Sequence, residues 1–298
     1  MRAYFFVIFL TSYFCNAQDY VDILRLGYGN TFNNTFEGTN SSTDIGTFEA
    51  DITFPIVLNE KNALITGAIY SKNRLQLFPE GENINLKRTV LKIGLATTFS
   101  EKYSSTIVLL PKITSDYINV SHNDFYFGGL AILKYKKNEN LKYKFGLYAS
   151  QEAYGLFTTP IIGWYYLSPN KKFEMDMTLP IAADVNYKFG KLSVGMDYFG
   201  IGGSYKLHQE PLKNKYVAVG TLNFAGYLQY EILKDILLRG KLGYSTSKYD
   251  VYSNGDKIDL GLAAFNFGDD RTQLNPNING SPYFKFELIY RFNILTKL

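Results

Sequence analysis

The sequence predicts an all-β protein: a transmembrane, antiparallel, up-and-down β-barrel of about 12 to 14 strands, with no plug or periplasmic domain. Three observations carry this expectation. Long segments alternate between apolar and polar residues at a period of two. Aromatic residues make up 16% of the chain, almost all Tyr (25) and Phe (23) against one Trp, and Tyr and Phe favour pleated, half-buried surfaces. Tight polar turns alternate with long polar segments, the asymmetry of a barrel whose two rims face different compartments. Mean hydropathy is −0.12, and no apolar run reaches the roughly 18 residues that a membrane-spanning helix needs. High apolar content with a net charge of only +4 excludes a disordered chain. There is no clustered basic stripe, so no nucleic-acid partner is expected.

The N-terminus has the form of an export signal: basic Met1-Arg2-Ala3, an apolar stretch from Tyr4 to Leu10, and a small residue, Ala17, at the cleavage point. The expected division is therefore a signal peptide over 1–17 and a barrel over 18–298. Lipoprotein processing wants a small residue before its cysteine, and Phe14 precedes Cys15, so Cys15 is expected to leave with the signal. The mature chain then has no thiol and no disulfide framework. About 280 residues remain, and at roughly 20 to 25 per strand and connection they suffice for one barrel.

Strand-like sequence starts at once, from Val21 to Tyr28, which leaves no room for an N-terminal plug. Next, Phe48, Ala50, Ile52, Phe54, Ile56 and Leu58 alternate with Thr47, Glu49, Asp51 and Thr53. Leu141, Tyr143, Phe145, Leu147 and Ala149 alternate with Lys142, Lys144, Gly146, Tyr148 and Ser150. Tyr216, Ala218, Leu222, Phe224, Leu228 and Tyr230 alternate with Thr221, Asn223, Gln229 and Glu231. The pattern is strictest at the end, where Phe284, Phe286, Leu288, Tyr290 and Phe292 alternate with Lys285, Glu287, Ile289 and Arg291. A strand points these two sets in opposite directions, one towards lipid and the other towards a lumen.

Connection lengths separate a barrel from a soluble sandwich. Tight turns are expected at Asn59 to Asn62, Ser100 to Lys102, Lys136 to Asn140, Ser168 to Lys172, Phe189 to Lys191 and Leu233 to Asp235. Longer segments run over Asn30 to Asp44, Asn73 to Asn83, Ser115 to Asp124, Gly200 to Asn214 and Gly268 to Pro282. Tyr103, Tyr135, Tyr165, Tyr166 and Tyr187, near strand ends, are candidates for interfacial girdles.

The signal ending in Asn16-Ala17-Gln18, the Tyr/Phe-rich strands and the terminal Tyr283-to-Phe292 strand resemble a Gram-negative outer membrane β-barrel. More narrowly, the whole mature chain is similar to an uncharacterised barrel family known as a domain of unknown function. The resemblance implies residence in the outer membrane, with outer-membrane lipid and lipopolysaccharide as surroundings and insertion by the barrel assembly machinery. It implies no substrate, cofactor or catalytic residue. Such proteins usually end on an aromatic residue, whereas Asn293 to Leu298 follow Phe292 here.

An internal echo is the best candidate for chemistry. Phe48-Glu49-Ala50-Asp51-Ile52-Thr53-Phe54-Pro55-Ile56 matches Phe173-Glu174-Met175-Asp176-Met177-Thr178-Leu179-Pro180-Ile181 at six positions. With the apolar residues towards lipid, Glu49, Asp51, Glu174 and Asp176 face the lumen. There they attract cations or pair with lumenal bases. A repeated strand-and-bend recipe, with the prolines ending ladder pairing, is weighed ahead of a selectivity filter. Alternation also turns Arg88, Lys92, Lys142, Lys144, Asp197, Arg239, Lys241, Lys285, Glu287 and Arg291 inward, and mixed signs suggest a salt-bridged interior at least as strongly as a filter.

Ser121-His122-Asn123-Asp124 offers a nucleophile, a base and an orienter, but sequence neighbours point in different directions and do not build a triad. His208 reads as a loop residue. Two histidines and no mature cysteine argue against a dedicated metal site, and Asp256, Asp259, Asp269 and Asp270 read as solvated loop carboxylates. Gly200-Ile201-Gly202-Gly203 lacks the Lys-Ser/Thr of a phosphate loop, and Asn254-Gly255 reads as a tight turn. Three functions follow in order: a passive pore or small-solute transporter with a charged lumen, a non-conducting surface barrel whose loops bind ligands or adhere, and a membrane-embedded lipid- or peptide-modifying enzyme.

Overall fold

The structure, a computed structural model, describes residues 20–293. The expected export signal, Cys15 and the tail beyond Asn293 lie outside the described residues. Fourteen antiparallel strands close into one barrel, at the upper end of the expected range. They are β1 (Tyr20–Thr31), β2 (Gly46–Val57), β3 (Asn62–Gln76), β4 (Asn83–Thr98), β5 (Tyr103–Ser115), β6 (Phe125–Lys136), β7 (Leu141–Glu152), β8 (Gly155–Leu167), β9 (Phe173–Leu179), β10 (Ala182–Phe189), β11 (Leu192–Leu207), β12 (Lys215–Leu233), β13 (Ile236–Ser245) and β14 (Ser281–Asn293). Each pairs with its sequence neighbours. The seam joins β1 to β14, from Tyr20 opposite Asn293 to Thr31 opposite Tyr283.

A closed sheet leaves no edge unpaired, which is what a strand-built membrane crossing requires. The outer face supplies the other requirement. Leu91, Ile93 and Leu95 on β4, Ile107 and Leu109 on β5, Phe145 and Leu147 on β7, and Phe286, Leu288 and Tyr290 on β14 all stand exposed. In water so broad an apolar surface would be an aggregation liability; against hydrocarbon it is the favourable face. All six expected tight turns fall on the rim that carries Tyr20 and Asn293, and an aromatic girdle lines it. Tyr103 and Tyr135 rings lie 5.2 Å apart, Tyr135 and Tyr143 6.5 Å, and Tyr187 and Phe189 4.7 Å. Tyr165 is a correction: it is buried in the lumen, because adjacent strand residues cannot share a face and Tyr166 takes the outer one.

The opposite rim departs from a simple open mouth. Two connections there are only two residues long, at 153–154 and 180–181, and β11 and β12 extend far beyond the barrel wall as a hairpin. A strand over Lys248–Ser253 pairs with Lys215–Gly220 and makes this extension three-stranded. The extension folds across the mouth. Lys206 of β11 pairs with Ser115 of β5, and Asp116 N–H donates to the Lys206 carbonyl at 3.1 Å. The Gly200-Ile201-Gly202-Gly203 stretch finds its role here. Gly202 stands opposite Gly220, at the level where Thr246 and Ser247 interrupt the third strand, and backbone without Cβ allows the sheet to bend.

Two apolar clusters seal this cover. Tyr205, Leu207, Val217, Val219 and Val251 of the extension pack on Leu75, Leu77, Ile84 and Leu86 from β3, β4 and their connection, with Phe36, Ile45 and Ile278 from the loops. Tyr216, Tyr252 and Ile258 pack on Tyr148, Tyr154, Phe157 and Ile161. Tyr216 therefore departs from the alternation expected of β12: Phe224, Leu228 and Tyr230 meet lipid, but Tyr216 is covered by the 246–280 segment. The strand break expected at the echo's prolines holds at one of the two: Pro180 ends β9 and opens the 180–181 connection at the rim, whereas Pro55 stays in register opposite Ile65 within β2.

Candidate functional site

Beneath the cover lies a cavity of about 630 Å³, walled by inward side chains of β1–β4 and β9–β14. Glu49, Asp51, Glu174, Asp176, Arg88, Arg239 and Lys241 line it, and Lys92 reaches Asp51 on its wall. Opposite charges dominate its contacts. Lys285 bonds Glu49 and lies 3.4 Å from Glu287. Glu287, 1% exposed, also meets Lys241 at 3.1 Å and Arg239 at 4.0 Å. Lys241 holds Asp197. The Arg239 guanidinium donates to Gln229 Oε1 at 2.9 and 2.7 Å and to Asp184 Oδ2 at 3.3 Å, and lies 4.1 Å from the centre of the Tyr227 ring. Near the short-turn rim, Arg291 donates to Asp22 at 2.6 Å and stacks 3.6 Å from the centre of the Tyr20 ring. Tyr20 Oη in turn donates to Glu174 across the lumen, from β1 to β9, at 2.8 Å.

The echo resolves into a repeated device. Lys92 on β4 crosses β3 to bond Asp51 and Thr53 on β2, and Gly67 is the residue it crosses. Lys144 on β7 crosses β8 to bond Asp176 and Thr178 on β9, and there the residue is Gly163. Both glycines press against the neighbouring strand. A Cβ would stand 2.1 Å from the Ile52 carbonyl oxygen at Gly67 and 2.0 Å from that of Met177 at Gly163. Gly27 serves the same end between Lys285 and Glu49. A lysine and a carboxylate reaching towards each other can bridge two strand spacings, roughly 9.5 Å, only where no side chain stands between.

Several members of the lumen were not singled out from sequence. Asp22 and Arg25 differ in parity, yet both line the cavity, and Arg25 bonds Asp22 at 3.0 Å. A register shift between Asp22 and Leu24 puts one extra residue into β1 and turns both inward. Asp184 and the buried Lys112–Glu152 pair were also missed. Glu152 accepts from Lys112, from Ser150 at 2.8 Å and from Ser204 of the extension at 2.8 Å.

The two histidines take unequal roles. Ser121 caps a single turn at His122–Asp124: it accepts from Asn123 N–H at 3.3 Å, and its own N–H donates to Asp124 at 2.7 Å. His208 lies in the 208–214 loop, as expected, and its Nε2 meets the buried Asp124 carboxylate, Oδ1, at 2.9 Å. The acid sits between the hydroxyl and the imidazole, whereas a nucleophile relay needs the base in the middle. Asp116 completes a latch by accepting the backbone N–H groups of His208 and Gln209 at 2.7 and 2.9 Å.

Outside the membrane, Arg271 pins the 246–280 segment. It donates to both Asp269 oxygens, at 2.7 and 2.8 Å, and to Tyr216 Oη at 3.2 Å, and lies 4.1 Å from the centre of the Tyr252 ring. The hydrogen bonds from Arg271 hold the Asp269 carboxyl below its ordinary range. A lowered folded-state pKa gives stability that is present above the unfolded value and lost as pH falls through the folded one. Protection of this segment from proteolysis is therefore expected to persist at pH 5 and to fall only below the usual carboxylate range. Arg271→Ala should remove it at neutral pH, by a measured cleavage rate.

A closed strand barrel with an apolar belt outside and charge within defines a transmembrane β-barrel of the outer-membrane type. The chain belongs to a family of unknown function, DUF6268, whose model matches residues 13–288. No curated protein matches it. Among solved structures it is similar to the COG4313 outer membrane channel from Pseudomonas putida F1, at 10% identity over 90% of this chain and 93% of that one, with a TM-score of 0.43. It is also similar to the NanC porin, at 10% identity over 90% and 98% with a TM-score of 0.38. The P. putida toluene transporter TodX matches at 11% identity over 91% and 89%, with a TM-score of 0.35. At these scores the likeness extends to a barrel wall and no further.

Proposed function

We propose that this protein is an outer membrane channel for small polar solutes, exported by a cleavable signal and held in a closed form by the folded extension of β11 and β12. The observation that carries this reading is the cavity. A barrel that served only as an anchor for loops has no need of some 630 Å³ of charge-lined interior running from Tyr20 and Arg291 at one end to Tyr205 beneath the cover. The charges are mostly paired, so the lumen is polar without a strong field of one sign, which favours selection by size and hydrogen bonding over a steep ion preference.

The non-conducting reading draws on one observation, the apolar packing of the mouth. The latch separates the two. Asp116→Asn keeps the shape of the side chain but weakens its two charge-assisted bonds to His208 and Gln209, each worth about 1.5 to 3 kcal/mol. In planar bilayers the unaltered barrel is expected to open rarely and Asp116→Asn at least several-fold more often. Silence from both, with the fold confirmed by heat-modifiable migration, would leave the surface-barrel reading standing.

A further inference from the structure

We propose that Arg88 is the centre of a binding site for small monoanionic polyhydroxy acids, such as sugar acids, in the upper lumen. This rests on the channel reading only for how such a solute arrives, not for its binding. Five lumenal cations on the short-turn side and along the β13–β14 wall have a carboxylate at ion-pair distance: Lys92 has Asp51, Lys144 has Asp176, Lys241 has Asp197, Lys285 has Glu49 and Arg291 has Asp22. Arg88 lines the same cavity and, among the described residues, has no carboxylate at ion-pair distance; its Nε is buried without a hydrogen-bond partner.

Its surroundings are unsatisfied in the same way. Ser71 on β3 and Thr114 on β5 stand directly opposite Arg88 in register, one on each side. Directly opposed residues have Cβ atoms about 4.5 to 5.5 Å apart, so the three share one inward patch. Ser71 is 3% exposed and Thr114 1%, and neither hydroxyl has a partner. Tyr126 on the next strand repeats the observation. A buried hydroxyl without a partner has given up its hydrogen bonds to water and gained none, so a row of them beside an unpaired guanidinium is an unfavourable arrangement for an empty wall.

The chemistry of the patch selects the ligand. A guanidinium presents a planar fork that matches a carboxylate, and the Ser71 hydroxyl beside it on the same cavity wall can donate to the same anion. One unpaired cation, with Glu49 two strands away on the other side of Ser71 and the neutral Lys112–Glu152 pair beside it, favours a single negative charge over a doubly charged phosphate. Asn73, Thr221, Asn223 and Tyr249 face the same cavity and offer neutral hydrogen-bonding groups to a hydroxylated body.

The test is equilibrium binding of labelled glucuronate to the refolded full chain in detergent micelles. One saturable site is expected, competed by excess acetate and not by glucose. Arg88→Gln should weaken it at least tenfold, Arg88→Lys should restore part of the affinity, and Lys134→Gln, an inward cation near the short-turn rim, should leave it unchanged. Heat-modifiable migration shows that each variant is folded. No saturable binding to the folded barrel, or binding indifferent to Arg88→Gln, would overturn the proposal. The channel reading is judged separately, by conductance: a barrel that conducts without binding glucuronate sinks only this site, and one that binds without conducting sinks only the channel.

Discussion

Replacing Glu287 with alanine is expected to destabilise the barrel by about 3 to 5 kcal/mol, because it strands buried cations rather than merely deleting a bond. The carboxylate is 1% exposed and has Lys241, Lys285 and Arg239 within 4.0 Å. The alignment is imperfect: Glu287 Oε2 lies 3.1 Å from Lys241 Nζ yet has no properly directed hydrogen bond. Its contribution is therefore charge more than hydrogen bonding, and Glu287→Gln, which preserves shape, should lose most of the same amount. Denaturant unfolding from detergent micelles measures both. A change below about 1 kcal/mol for either variant would mean that water, not Glu287, neutralises this cluster.

Gly163→Ala and Gly67→Ala are expected to abolish folding to the heat-modifiable form. The added methyl would lie 2.0 or 2.1 Å from a backbone oxygen of the neighbouring strand, a contact that a rotamer change cannot relieve. The strands must part, and with them go the hydrogen bonds and the Lys–Asp bridge across the glycine. Gly203→Ala is the control, since a Cβ there meets nothing within 4 Å. A folded yield for Gly163→Ala within twofold of the unaltered chain would show that the wall yields more easily than its geometry implies.

These two sites also mark how far reading from sequence extends. Alternation is a local rule imposed by lipid on one side and water on the other, so it placed Lys285, Glu287 and Arg291 together on one face and Phe286, Leu288 and Tyr290 on the other. Turn chemistry is local too, and all six tight turns fall at one rim. Crossing contacts obey no local rule. That Lys144 passes over Gly163 to Asp176 depends on the register of three strands, which the echo hinted at but could not specify. Asp22 and Arg25 escaped because one extra residue in β1 breaks the period. Tyr216 carries the parity of the lipid face, but a segment about 40 to 55 residues further along the chain covers it. The latch between His208 and Asp116 spans more than 90 residues and has no motif.

The seam between β1 and β14 has a consequence for assembly. Every other wall contact joins consecutive strands, whereas Tyr20 and Asn293 meet from about 270 residues apart, an entropic demand about 4 kcal/mol above that of a short hairpin, by the logarithmic growth of loop-closure cost. Hairpins form locally and quickly, so this pairing is the slow, final event in closing the cylinder. Until then the chain is a curled sheet with two free edges about a dozen residues long, each a template for any strand that offers itself. Crowded refolding should therefore yield ladders of chains joined edge to edge, and a short peptide copying Tyr283 to Phe292 should trap the open sheet by occupying the place reserved for its own last strand.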